Sequence, residues 1–181
     1  MGFKDMREWI DKLETEGELK RVTAKVDWNL ELGEVARRSL ALKGPAILFE
    51  NIKDYENTRC RRMLVNGISR HSRIAMMLGV SRKTPPQELM QVVRKRFKEP
   101  VPPVGVKTGP VKENIVTGDD IDLYQFPVPQ WHPMDGGRYI DTWCGVVTRD
   151  PDTRNLNVGL YRGMIQTKNK IGKSNSSRTD S

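Results

Sequence analysis

The stretch Lys98-Glu-Pro-Val-Pro-Pro-Val-Gly-Val-Lys107 separates two kinds of sequence. Proline lacks a backbone donor and fixes φ, so neither a helix nor a central strand runs through Pro100, Pro102 and Pro103. Just upstream, Pro85-Pro86 opens a helix through about Lys98, with Leu89, Val92, Val93 and Phe97 on its inner face. Ser69 is placed to cap a helix from about Arg70 to Leu78, closed by Gly79. Before it stand two short apolar runs of buried-strand type, Met63–Val65 and Ala46–Phe49.

Further toward the start, Asn29 is placed to cap a helix through Leu42 that ends at Lys43-Gly44-Pro45. Leu19–Val26 alternates and reads as a strand. Phe3, Met6, Trp9, Ile10 and Leu13 fall at helical spacing, with Asp5 as cap and Gly17 as stop. Residues 1–99 therefore read as an N-terminal α/β domain.

Downstream of the prolines the period changes. Val111–Thr117 reads as a strand, Gly118-Asp119-Asp120 as a turn, and Phe126–Pro133 as an extended loop. Trp143–Thr148 and Leu156–Ile165 read as strands joined by the turn Arg149–Asp152. Residues 100–172 read as the start of a β-rich domain, with an open sheet edge that calls for a partner. The expectation for 173–181, which has no apolar residue, is a disordered tail.

Composition narrows the function classes. No apolar run approaches the roughly 18 residues of a membrane span, and the first residues lack a basic-then-apolar leader. Two distant cysteines, Cys60 and Cys144, exclude a disulfide framework and a thiolate zinc site. The expected compartment is the cytoplasm. The net charge is +8, and Arg59–Lys98 alone carries eleven Lys or Arg against one acid, Glu88. Such a block reads first as solvated helix faces. Its alternative is a surface for a partner protein or nucleic acid. No aromatic side chain interrupts Arg59–Arg96 to stack on bases, so nucleic-acid binding is expected to be weak at most.

Several segments, taken in order, resemble the UbiD family of prenylated-FMN-dependent decarboxylases. They are FKDMREWIDKLETEGELKRV with KVDWNLELGEVARR, then GPAILFENIKDYE and NGISRHSRIAMMLGV, then TGDDIDLYQFPVPQWHPMDGGRYI and VVTRDPDTRNLNVGLYRGMIQTKNKIG. Each alone is weak; the ordered set, from residue 3 to about 172, is specific, and its last two members are the most so.

The resemblance implies that the second domain is a split β-barrel that binds prenylated FMN. It implies reversible non-oxidative decarboxylation of a small aromatic or α,β-unsaturated carboxylic acid. On the motif Asn157-Val-Gly-Leu-Tyr161-Arg162, it implies that Asn157 ligates a divalent metal, manganese, that bridges to the flavin phosphate, with K+ as a further ion. Thr142, Leu160, Tyr161 and Arg162 match positions that contact the flavin, and Arg162 also faces the substrate carboxylate as the catalytic residue. The residue types suit these roles. An Asn oxygen is a hard neutral ligand, and Arg offers a planar, always charged fork to a carboxylate. Strand alternation puts Asn157, Gly159 and Tyr161 on one face, and Leu160 and Arg162 on the other. Read alone, Asn157 is a turn residue, Arg162 a surface cation and Thr142 a β-branched strand former; the ordered motifs reverse the first two readings. His132 is expected to be a structural loop residue, His71 has no assigned role, and Gly118–Asp122 matches a family turn rather than an acid–base pair.

The family pattern also implies a second metal ligand, a His, shortly past the Asn157 motif, then a Glu, then a proton donor. No His follows His132. The expectation is a chain inactive alone: a subunit completed by another polypeptide or by homo-oligomerisation, a truncated product, or a module with a new binding role.

Overall fold

The computed structural model describes residues 2–102 and 104–173. The polar tail expected over 173–181 lies, except for Lys173, outside the described residues. The chain divides into two units. One gathers residues up to 23, 36–50 and 63–117; the other gathers 24–35, 51–62 and 118 onwards.

The first unit is built on a three-stranded sheet. Strands β1 (Leu19–Val22) and β2 (Ala46–Phe49) run parallel, and β3 (Met63–Val65) pairs antiparallel with β2. Helices α1 (Met6–Thr15), α3 (His71–Met77) and α4 (Pro86–Lys98) belong to this unit. Helix α2 (Glu31–Ala41) lies in the β1-to-β2 crossover that a parallel pair requires. All four residues of β2 are buried, as a continuous apolar strand should be. Trp9 and Leu13 of α1, Ala46 of β2 and Met76 of α3 form the core, flanked by Phe3, Leu19, Leu64 and Ile68. Asp5 caps α1 by accepting from the Arg7 and Glu8 backbone N–H groups, and Gly17 takes the left-handed φ of +68° that ends it.

Most of the basic block is exposed, as its reading as solvated faces expects; Arg73 is the exception. Arg73 is wholly buried and donates to Glu18 Oε2 at 3.0 Å, Asn66 O at 2.8 Å, Ser69 Oγ at 3.2 Å and Gly44 O. Arg82 closes on the other Glu18 oxygen, and Arg70 donates to Lys43 O at 2.7 Å. These arginines knit the unit together. Ser69 does not cap α3; its hydroxyl donates to Asn66 O at 3.0 Å, and Arg70 stands at the cap position without a side-chain bond. Phe97, expected on the inner face of α4, is 82% exposed, while Leu89 is buried.

The second unit carries a sheet ordered β4 (Tyr139–Asp141), β7 (Gly163–Thr167), β8 (Lys170–Lys173), and a separate hairpin of β5 (Val146–Arg149) with β6 (Leu156–Gly159). Val26, Leu32, Ile52, Tyr55, Val128 and Ile165 are buried in it. The alternation of Leu19–Val26 stops as a strand at Val22, and Val26 makes only an isolated bridge to Ile52. Asp27, not Asn29, organises the entry to α2: its Oδ1 accepts from Asn29 N at 2.8 Å, and Glu31 Oε2 accepts from Asp27 N at 2.7 Å. A Cβ on Gly33 would stand 2.8 Å from the Trp131 carbonyl oxygen, so only glycine allows that approach.

Two expected strands change form. Val111–Thr117 contains no strand; Pro110–Lys112 makes a 3-10 turn instead. Leu156–Ile165 is two strands broken at 160–162. The described architecture is mixed α/β with small sheets, and no described helix is long and apolar enough to cross a membrane.

Candidate functional site

Antiparallel pairing of β4 with β7 builds the site. Tyr139 stands opposite Met164 and Asp141 opposite Gly163, with a register irregularity between the two pairs. Continuing the ladder by one step brings Thr142 level with Arg162, although twenty positions part them in sequence. Both side chains line a cleft of about 300 Å³ together with Trp131, His132, Asp135 and Tyr139. The Arg162 guanidinium carbon lies 5.7 Å from the Tyr139 ring centroid, within cation–π reach.

A tight loop supplies Trp131, His132 and Asp135 to the cleft. His132 N donates to Asp135 Oδ2 at 3.0 Å, Asp135 N donates to His132 O at 3.1 Å, and Trp131 Nε1 donates to Tyr139 O at 3.5 Å. The His132 backbone is thus a turn element, and the residue also lines the cleft.

Asn157 is exposed on β6 opposite Thr148, and Leu160 is 63% exposed; neither lines the cleft. Asn157 Nδ2 donates to the Tyr161 hydroxyl at 3.4 Å, with the Tyr161 ring laid over Gly159. Asn157, Gly159 and Tyr161 do share one side, as the alternation requires. The bond uses Nδ2 and leaves Oδ1, the donor a hard cation takes, outside the contact. The hairpin that carries Asn157 is closed by Asp150. Its carboxyl is held below the usual carboxylate range by the Thr153 backbone N–H, the Thr153 hydroxyl and the Asp152 N–H. Among the described residues there is no group of three or more His, Cys, Asp or Glu that could hold a metal ion.

Residues 10–93 match the model of the 3-octaprenyl-4-hydroxybenzoate carboxy-lyase N-terminal domain, and residues 103–179 match that of the Rift-related domain of the same carboxy-lyase. The chain belongs to the UbiD family.

Solved UbiD-class structures agree. Vanillic acid decarboxylase of Sedimentibacter hydroxybenzoicus in its open form superposes with a TM-score of 0.83 at 32% identity over 96% of this chain and 36% of that one. The UbiD-class enzyme HmfF of Pelotomaculum thermopropionicum, in complex with FMN, gives 0.81 at 27% identity over 95% and 37%. The 3,4-dihydroxybenzoic acid decarboxylase of Enterobacter cloacae gives 0.82 at 26% identity over 99% and 38%. The chain thus spans less than two fifths of the length of these relatives.

Against the UbiD expectation, the structure brings Thr142 and Arg162 together and keeps Asn157 and Leu160 out of the cleft. Tyr161, half-buried, lies next to Arg162 in the chain but turns to Asn157. Trp131, Asp135 and Tyr139 have no assigned role in the sequence alone. Their signal lay inside the segment Trp131–Tyr139, where Trp-His-Pro and Asp-Gly-Gly bracket a tight loop.

Proposed function

We propose that this chain serves a UbiD-type carboxy-lyase that reversibly decarboxylates an aromatic or α,β-unsaturated carboxylic acid with prenylated FMN. The observation that carries the reading is the meeting of Thr142 and Arg162 in one cleft beside Tyr139. The donor set there suits an anionic, planar occupant. Arg162 offers a fork to a carboxylate or phosphate, Trp131 and Tyr139 offer flat faces, and Thr142 offers a hydroxyl. Prenylated FMN, when bound, supplies the electron sink for loss of carbon dioxide. Arg162 orients the carboxylate, and excluding water around it strengthens that pairing.

Asn157 is proposed as one ligand of a divalent ion, manganese, through Oδ1. A firmly held ion of this kind takes several oxygen donors. The remaining donors would come from the bound cofactor and from groups outside the described residues, whether on a second polypeptide or a second copy. The names of the structural relatives support an aromatic acid as substrate.

The test is carbon dioxide release from a panel of benzoic and acrylic acids by the protein loaded with prenylated FMN, together with any polypeptide that co-purifies. Release that disappears in Arg162→Ala is expected. Loaded protein that neither releases carbon dioxide nor exchanges labelled bicarbonate into any acid overturns the reading.

A further inference from the structure

We propose that Arg138 is the positioning residue of this cleft. It ties the two ends of the loop 128–138 and so sets where Trp131, Tyr139 and Arg162 stand. The inference takes its functional meaning from the reading of the cleft above.

Arg138 precedes Tyr139 in the chain, and the β4–β7 ladder reaches it: Ile165 N donates to Arg138 O at 2.9 Å. Adjacent residues of extended backbone point to opposite sides, so Arg138 reaches away while Tyr139 faces the cleft. Its guanidinium enters an aromatic box. The central carbon lies 4.1 Å from the Trp28 ring centroid, 5.5 Å from that of Tyr124 and 5.6 Å from that of Tyr55. Nε donates to Val128 O at 2.6 Å, and Nη2 donates to Phe126 O at 3.4 Å and to the Tyr55 hydroxyl. That hydroxyl donates onward to Tyr124 O at 2.9 Å.

The far end of this clamp is itself fixed. Val128 and Pro129 are buried, and Gln130 O accepts from Leu30 N at 3.1 Å. The loop that supplies Trp131, His132 and Asp135 therefore starts at an immobilised carbonyl and ends at the residue that bonds it. Trp131 Nε1 reaches Tyr139 O, and the Tyr139 ring lies beneath Arg162, so a displacement of Arg138 passes to all three. A lysine would keep the charge over Trp28 but lacks the planar fork that serves Val128 O and Tyr55 together.

The experiment is a ¹H–¹⁵N spectrum of the ligand-free chain, reading the Trp indole and Arg Nε signals in wild type, Arg138→Lys and Tyr55→Phe. It uses no cofactor or acid, so its outcome is independent of whether the cleft binds a carboxylate. The Trp131 indole and Arg162 Nε signals should move beyond their linewidths in Arg138→Lys and, less, in Tyr55→Phe. Trp9, in the core of the other unit, should stay in place. Trp28 touches Arg138 and moves in any case. Stationary Trp131 and Arg162 signals overturn the proposal. Loss of Trp9 dispersion in both variants also overturns it, because Arg138 would then be a general scaffold residue. Should Arg138→Lys alone lose Trp9, the Tyr55→Phe spectrum decides by the same criterion.

Discussion

The Asn157 side-chain amide meets the Tyr161 hydroxyl at 3.4 Å because nothing but hydrogen stands on the Cα of Gly159 between them. A Cβ at 159 would fall 2.3 Å from Tyr161 Cε2 and 2.8 Å from Cζ. Those atoms are the far end of a side chain with two torsions, so the ring gives way rather than the backbone. Gly159→Ala should therefore cost no more than about 1 kcal/mol in urea unfolding. It should still displace Tyr161 and shift the Asn157 side-chain amide signals. Unchanged Asn157 signals would show that the pair does not depend on the bare Cα.

The Arg73–Glu18 pair in the first unit is of another order. Arg73 is wholly buried, and burial pulls its guanidinium below the ordinary arginine range against the opposing bond to Glu18. Glu18→Ala strands that charge among neutral acceptors, and breaking a buried pair from one side costs about 3–5 kcal/mol. Urea unfolding of this variant should show such a loss. A change under about 1 kcal/mol would mean that water reaches and relieves the buried charge, against this account.

Helix α4 allows an internal comparison. Leu89 is 4% exposed and Phe97 is 82% exposed. Leu89→Ala should destabilise by about 2–5 kcal/mol as a core truncation. Phe97→Ser should stay within about 0.5 kcal/mol as a surface change. Thermal melts of the two variants side by side check this, and equal losses would mean that Phe97 is covered in solution.

Phe97 also shows where the sequence is legible and where it is not. The caps of α1, the proline start of α4 and the buried run of β2 are local signals, set by Asp5, Gly17, Pro86 and four consecutive apolar residues. Which side of α4 is covered depends on partners remote in sequence, and periodicity admits Phe97 to the same stripe as Leu89. Arg73 was hidden for a similar reason: one buried arginine looks like its solvated neighbours until Glu18, Asn66 and Gly44 arrive around it. At the site, the resemblance pointed to Thr142 and Arg162, but what joins them is the β4–β7 register, which no local pattern carries. Leu156–Ile165 read as one strand because no proline or turn pair interrupts it and Leu156, Val158 and Leu160 alternate; the break at 160–162 goes with Tyr161 folding back over Gly159.

Acid should weaken the second unit through Asp27. Its carboxyl is held below the usual range by the Lys53 ammonium at 2.6 Å and by the Asn29 N–H. A depressed folded value contributes stability that is fully present above the unfolded value, about 3.9, and is lost as pH falls through the folded one. Asp27→Asn should thus lower the urea midpoint at pH 7, with the gap to wild type closing as pH falls below the unfolded value. A gap that stays constant as pH falls would mean that Asp27 acts through shape, not charge.

The proposed chemistry turns on the fork of Arg162. Lysine at 162 keeps a positive charge in the cleft but gives a single point donor where a carboxylate takes two parallel bonds. The geometry of the bound acid then loosens even where its affinity survives, and orientation is what the cleft residues contribute to the reaction. In flavin-loaded protein, Arg162→Lys should lower kcat/KM on the order of 10²–10³-fold, the range for removing one preorganised donor. The flavin absorbance retained through gel filtration should stay near wild type. Asn157→Ala should do the reverse, lowering metal and flavin occupancy together, since Oδ1 is proposed to act through the ion rather than on the acid. Stripping the metal with a chelator should mimic Asn157→Ala and leave the Arg162→Lys phenotype distinct. An Arg162→Lys enzyme that keeps its turnover, or that loses flavin in parallel with activity, would remove Arg162 from the carboxylate role and leave it a cofactor contact.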